Sequence, residues 1–147
     1  MIHDVVITPL KQIVDDRGKV MHMLRRDTKL FDGFGEIYFS FVNSLAVKAW
    51  KLHRRLTMNL AVPFGIIKLV LYDERKNSRT KGKIHEIIIG EEDYCLVTVP
   101  PGIWNGFQGL GTTRSLIANC ATLPHDPNEV ERLDIDDLRI PYMWQTE

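Results

Sequence analysis

The side chains in this 147-residue sequence best suited to proton transfer gather around His53. A histidine suits general acid/base work because its ordinary pKa lies near neutrality. A strand alternates its faces, so Lys51 points the same way as His53 while Arg54 points the opposite way. Lys51 is therefore the expected polar neighbour of the base, and Arg54 a surface residue. Arg17, in the turn Asp15-Asp16-Arg17-Gly18, suits a phosphate contact, because a guanidinium donates through a planar fork. Further proton donors are Tyr38, His125 and Tyr142. Plainer readings stand beside these: a hydrogen-bonded structural histidine for His53, a turn-stabilising residue for Arg17, and a core aromatic for Trp104.

The elements that must position these residues read as strands. Short runs rich in Val, Ile, Leu, Phe and Tyr recur at 4–10, 19–24, 36–42, 47–52, 58–62, 66–72, 83–89, 94–99, 106–110 and 114–120. Turn signals separate them, among them Asp32-Gly33-Phe34-Gly35, Pro63-Phe64-Gly65 and Pro100-Pro101-Gly102. About ten strands at this spacing predict an all-β sandwich or barrel. Residues 128–138 alone permit a helix, with Asp126 or Asn128 as its cap. The polar run Lys76-Asn77-Ser78-Arg79-Thr80-Lys81-Gly82-Lys83 reads as a solvated hairpin tip.

The totals narrow the class. The length fits one domain, 1–147, able to bury a full core. Lys+Arg and Asp+Glu are matched at 19 each, so no global field draws the chain to nucleic acid. The apolar run 60–71 is broken by Pro63, Gly65 and Lys68, and no membrane span is expected. The N-terminus lacks a basic segment followed by an apolar one, and Cys95 and Cys120 sit inside strand-like runs. Both points lead to an expected cytoplasmic protein with buried thiols.

Two segments resemble the sequence halves of a cupin-type jelly-roll barrel. One runs from His53 to Gly65; the other is Val99-Pro100-Pro101-Gly102-Ile103-Trp104-Asn105-Gly106-Phe107. Metal-binding cupins carry a His-x-His pair, a carboxylate and a later His. Here Arg55 takes the place of the second His, no carboxylate follows before Gly65, and Asn105 stands where the last His would be. One ligand position of four remains, so neither a metal nor another cofactor is expected.

Asp16-Arg17-Gly18, Leu52-His53, Tyr72-Asp73-Glu74-Arg75, Val99–Phe107 and the tail Asp137…Ile140…Trp144 together resemble the dTDP-4-dehydrorhamnose 3,5-epimerase family. The resemblance implies a homodimer acting on a nucleotide-diphosphate sugar, dTDP-linked as in that family, in deoxysugar or surface-polysaccharide synthesis. A base takes a proton beside a ketone, and an acid returns one to the opposite face. His53 corresponds to the base. Arg17, Lys51, Trp104, Asn105 and Asn119 are the expected substrate contacts.

Three departures qualify that reading. The family's catalytic Tyr falls at Asn119 and a second Tyr at His125, and the Asp that partners the base lies in a C-terminal extension without a counterpart here. Tyr38, His125 or Tyr142 is then the replacement acid. The length, the interval from His53 to Gly65, and Tyr38 in Ile37-Tyr38-Phe39 resemble the dTDP-sugar 3,4-ketoisomerases instead, although Lys51 replaces the first His of their His-Ala-His. A catalytically inactive nucleotide-sugar-binding or partner-stabilising cupin is the third possibility.

Overall fold

The computed structural model describes residues 1–145. Its apolar runs form strands β1 (Val6–Pro9), β2 (Gln12–Asp15), β3 (Gly18–Met21), β4 (Glu36–Val42), β5 (Val47–His53) and β6 (Met58–Phe64). They continue as β7 (Ile66–Asp73), β8 (Ile84–Gly90), β9 (Cys95–Val99), β10 (Ile103–Gly109), β11 (Ser115–Ala121) and β12 (Val130–Arg132). Two five-stranded sheets, β1-β9-β6-β11-β4 and β12-β5-β10-β7-β8, face one another, and β2–β3 is a separate hairpin. Every strand pair is antiparallel. This is the expected all-β jelly roll.

The alternation of each strand decides where the interior is apolar and where it is wet. Ile67, Leu69 and Leu71 of β7 and Ile103 of β10 interdigitate with Leu60 and Val62 of β6, Val97 and Val99 of β9 and Ile117 of β11. That core closes one end of the barrel. At the other end the inward positions are Tyr38 and Ser40 of β4, Lys51 and His53 of β5, and Asn105 of β10, and a cavity remains. Cys95 and Cys120 are both free and buried, as expected, and burial pushes both thiols up.

The expected helix at 128–138 does not form. A single 3-10 turn, Pro127–Glu129, starts at Asp126, whose side chain accepts from Asn128 N, and gives way at once to β12. The strand wins because β5 offers it an open ladder: Val130, Glu131 and Arg132 pair with His53, Leu52 and Lys51. An extended tail follows. It lays Ile140, Tyr142 and Trp144 over Trp50, Val70 and Trp104 on the outer face of the second sheet.

The loop at 76–83 is not simply solvated. Its Ser78 and Thr80 hydroxyls donate to the fully buried Asp73 carboxylate at 2.5 and 2.6 Å. Arg75 clamps the same carboxylate and reaches His3 O and Asp4. The Asp-x-Arg motif therefore fastens the N-terminus to the β7–β8 hairpin.

Candidate active site

A β-bulge shapes the wall that carries His53. On β10, Asn105 pairs with Lys51 and Gly106 with Ala49, leaving Trp50 as the extra residue on β5. Trp50 packs against Tyr142 and Trp144 on the outer face. The skipped residue lets Lys48, Lys51 and His53 all line the same cavity, whose volume is about 800 Å³. Gly106 makes this register possible, since a Cβ there would sit 2.5 Å from Ala49 Cβ.

His53 is buried, and its Nδ1 lies 2.5 Å from Glu129 Oε1. Glu129 is itself 2% exposed, and its Oε2 accepts from the backbone N–H groups of Arg55 at 3.1 Å and Leu56 at 3.2 Å. Burial pushes the Glu129 carboxyl up, but the bonds from His53 and the two amides outweigh it and hold the group below its ordinary value. An ionised carboxylate can only accept, so the Nδ1–H donates, and in the neutral imidazole Nε2 carries the lone pair that can take a proton. The sequence expectation of a base without its carboxylate is thus corrected. Glu129 stands 76 positions away inside the stretch read as a helix, and nothing local in the sequence pointed to it.

Tyr38 and Asn119 are cross-strand partners on the facing sheet, β4 against β11. Asn59 N donates to Asn119 Oδ1 at 3.1 Å, which orients the amide. Asn119 Nδ2 then donates to Tyr38 Oη at 3.0 Å, leaving the phenolic hydrogen free. Tyr38 thus stands on the strand next to the one that carries Asn119, across the cavity from the wall that carries His53.

The cationic part of the site is Lys48, Lys51 and Arg132, all lining the cavity. Lys48 Nζ donates to Ser40 Oγ across the opening at 2.9 Å. Burial, then the charges of Arg132 and Lys48, hold the Lys51 ammonium below its ordinary value. Arg132 had no place in the sequence reading; it arrives because β12 pairs with β5. Asn105 also lines the cavity and donates to Lys51 O at 2.9 Å.

Other expected site residues lie elsewhere. Trp104 is fully buried on the outer face of the second sheet, where its Nε1 donates to Glu74 Oε2 at 3.2 Å. It does not line the cavity, because alternation along β10 turns Asn105 and Phe107 inward and Trp104 outward. Arg17 is on the exposed β2–β3 turn and pairs with Asp15 at 2.8 Å, outside its own chain's cavity. Tyr142 donates to Glu86 on the outer face, also away from the cavity. His125 lines a smaller chamber beside the main one, together with Glu36, Tyr38, His53 and Glu129.

Fold and site define a cupin-type jelly roll whose interior presents acid/base and cationic side chains. Among the described residues, no three His, Cys, Asp or Glu side chains form a group that could hold a metal ion. The dTDP-4-dehydrorhamnose 3,5-epimerase family model matches residues 1–147, and the chain belongs to that family of sugar isomerases. A spore coat polysaccharide biosynthesis protein of Bacillus subtilis (strain 168), SpsL, is 32% identical over 149 residues, covering 100% of this chain and 99% of the relative. A probable low-salt glycan biosynthesis epimerase of Haloferax volcanii, Agl13, is 34% identical, covering 96% of this chain and 88% of that one. The crystal structure of a dTDP sugar isomerase from Desulfovibrio desulfuricans G20 superposes with a TM-score of 0.95 at 43% identity, covering 97% of this chain and 92% of that one.

Proposed function

We propose that the chain is a metal-independent epimerase of a dTDP-linked 4-keto-6-deoxy sugar, serving polysaccharide or glycan synthesis. One observation carries the reading. A carboxylate-backed histidine stands on one sheet of the barrel, and an amide-oriented tyrosine stands on the facing sheet. A sugar between them has a base on one side and an acid on the other.

His53 Nε2 takes the proton beside the ketone, and Glu129 stabilises the imidazolium that results. The enolate oxygen and the diphosphate both develop or carry negative charge, which Lys48, Lys51 and Arg132 offset. Tyr38 returns a proton from the opposite side, with Asn119 donating to the phenolate it leaves. Asn105 and Asn119 line the space the sugar would fill.

The assembly we infer is a homodimer. Edge strand β4 turns Ile37, Phe39 and Phe41 outward, and all three are exposed. An apolar edge of this kind is usually covered. Arg17 becomes a diphosphate contact only where one copy's hairpin reaches another copy's cavity.

The test is incubation with dTDP-4-keto-6-deoxyglucose in deuterium oxide, followed by proton NMR. Exchange at C3 and C5 with inversion is the expected result, unchanged by a chelator. Exchange at C3 with migration of the carbonyl identifies a 3,4-ketoisomerase instead. Bound dTDP without any exchange leaves a nucleotide-sugar binder.

A further inference from the structure

The smaller chamber beside the main cavity has a volume of about 190 Å³ and shares Tyr38, Lys51, His53 and Arg132 with it. At roughly 30 Å³ per water it has room for a short chain of them. Its remaining wall includes Glu36, His125 and Glu129. His125 is solvent-exposed, and its backbone N–H donates to Glu36 Oε2 at 2.7 Å, which ties its loop to β4. The base and the acid of the proposed reaction therefore both touch a second space, and an exposed titratable side chain, His125, forms part of its wall.

Proton balance gives this space a purpose. His53 Nε2 accepts the proton from carbon while the C–H electron pair moves to the carbonyl oxygen. When the enolate collapses, its carbon takes the phenolic proton of Tyr38 from the other side. The sugar has lost one proton and gained one, but the protein is left with an imidazolium and a phenolate. A reaction that inverts two centres needs that pair reset before the sugar leaves. In the proposed reaction the sugar occupies the main cavity between them, which leaves the small chamber as the other space both side chains reach.

We propose that the small chamber resets this pair through solvent: the proton on His53 leaves and Tyr38 regains one through the chamber's water, with His125 relaying protons between that water and bulk solvent. The inference rests on the opposite-face reading above. It makes His125 a positioning and relay residue, separate from the group that attacks or protonates carbon.

The experiment follows both exchange reactions by rapid quench in deuterium oxide at minimal buffer, using dTDP-4-keto-6-deoxyglucose with wild type, His125→Ala and His125→Phe. Melting temperature and dTDP binding check that the variants fold and bind. The expected result is a first-exchanging centre at the wild-type rate and a second slowed on the order of tenfold, less than a group acting directly on carbon contributes. Added imidazole restores the second step in His125→Ala and not in His125→Phe. Equal slowing of both centres, or no slowing of either, overturns the relay while leaving the epimerase reading standing. Absence of exchange by the wild-type chain removes that reading and the relay with it.

Discussion

His53 and Glu129 meet at 2.5 Å although they are 76 residues apart in the chain. The pairing depends on β12 adding to β5, because that ladder sets Val130 opposite His53 and brings the preceding carboxylate under the imidazole. Backbone N–H groups of Arg55 and Leu56 hold the other carboxylate oxygen, so residues just after His53 also position its partner.

Glu129→Gln tests that dependence. The amide keeps the shape but presents a neutral group to the imidazolium, and kcat is expected to fall roughly a hundredfold or more. KM moves little, since Glu129 does not line the main cavity. Steady-state kinetics, with a melting curve to confirm folding, supply the check.

Lys51→Met and Arg132→Met address anion binding. Lys51 is held below its ordinary value by burial and by Arg132 and Lys48, and a diphosphate bound beside it is expected to offset those charges. Charge-assisted hydrogen bonds are worth about 1.5–3 kcal/mol, so each substitution is expected to weaken dTDP binding by about 10–100-fold. Wild-type affinity is expected to fall with added salt, and less steeply in either variant. Titration calorimetry at two ionic strengths measures both effects.

Asp73 sets the acid limb of stability. Burial pushes its carboxyl up, but the bonds from Arg75, Ser78 and Thr80 outweigh that and hold it far below the usual carboxylate range. The folded form therefore binds fewer protons than the unfolded one at acid pH. Its stabilisation is complete above the unfolded value of about 3.9 and is lost as pH falls below it. Glu129 is depressed in the same sense. Urea midpoints are expected to drop steeply below about pH 4. Asp73→Asn lowers stability near neutrality by about 1–3 kcal/mol and flattens that acid slope.

Trp104→Phe separates the core from the site. The indole fills the outer-face cluster, donates to Glu74 and lies under the Arg139 guanidinium. Losing that bond and some volume costs about 1–3 kcal/mol of stability. The dissociation constant for dTDP is expected to stay unchanged, because Trp104 does not reach the cavity. Thermal unfolding and calorimetry on the same samples check the two halves.

Much of the fold was legible because strands advertise themselves locally. The run 36–42 coincides with β4, and most other boundaries differ by a residue or a few. The hairpin β2–β3 was harder, since Ile13, Val14 and Val20 are exposed and carry no clear alternation of burial. The face assignment at His53 and Lys51 followed from alternation and held. Trp104 as a substrate contact goes against the same rule, because a tryptophan beside Asn105 looks like a second interior group although alternation sends neighbours to opposite sides.

The amino-acid order by itself determined the all-β barrel, the family and the histidine at its centre, because hydrophobic alternation, turn residues and short motifs are all written within a few positions. Only the tertiary structure decided what surrounds that histidine. Glu129 and Arg132 reach it through strand pairing, Tyr38 through the facing sheet, and Lys48 through a bulge that skips Trp50. Those relationships depend on which strands lie side by side, and long-range register is not encoded in the spacing of neighbouring residues.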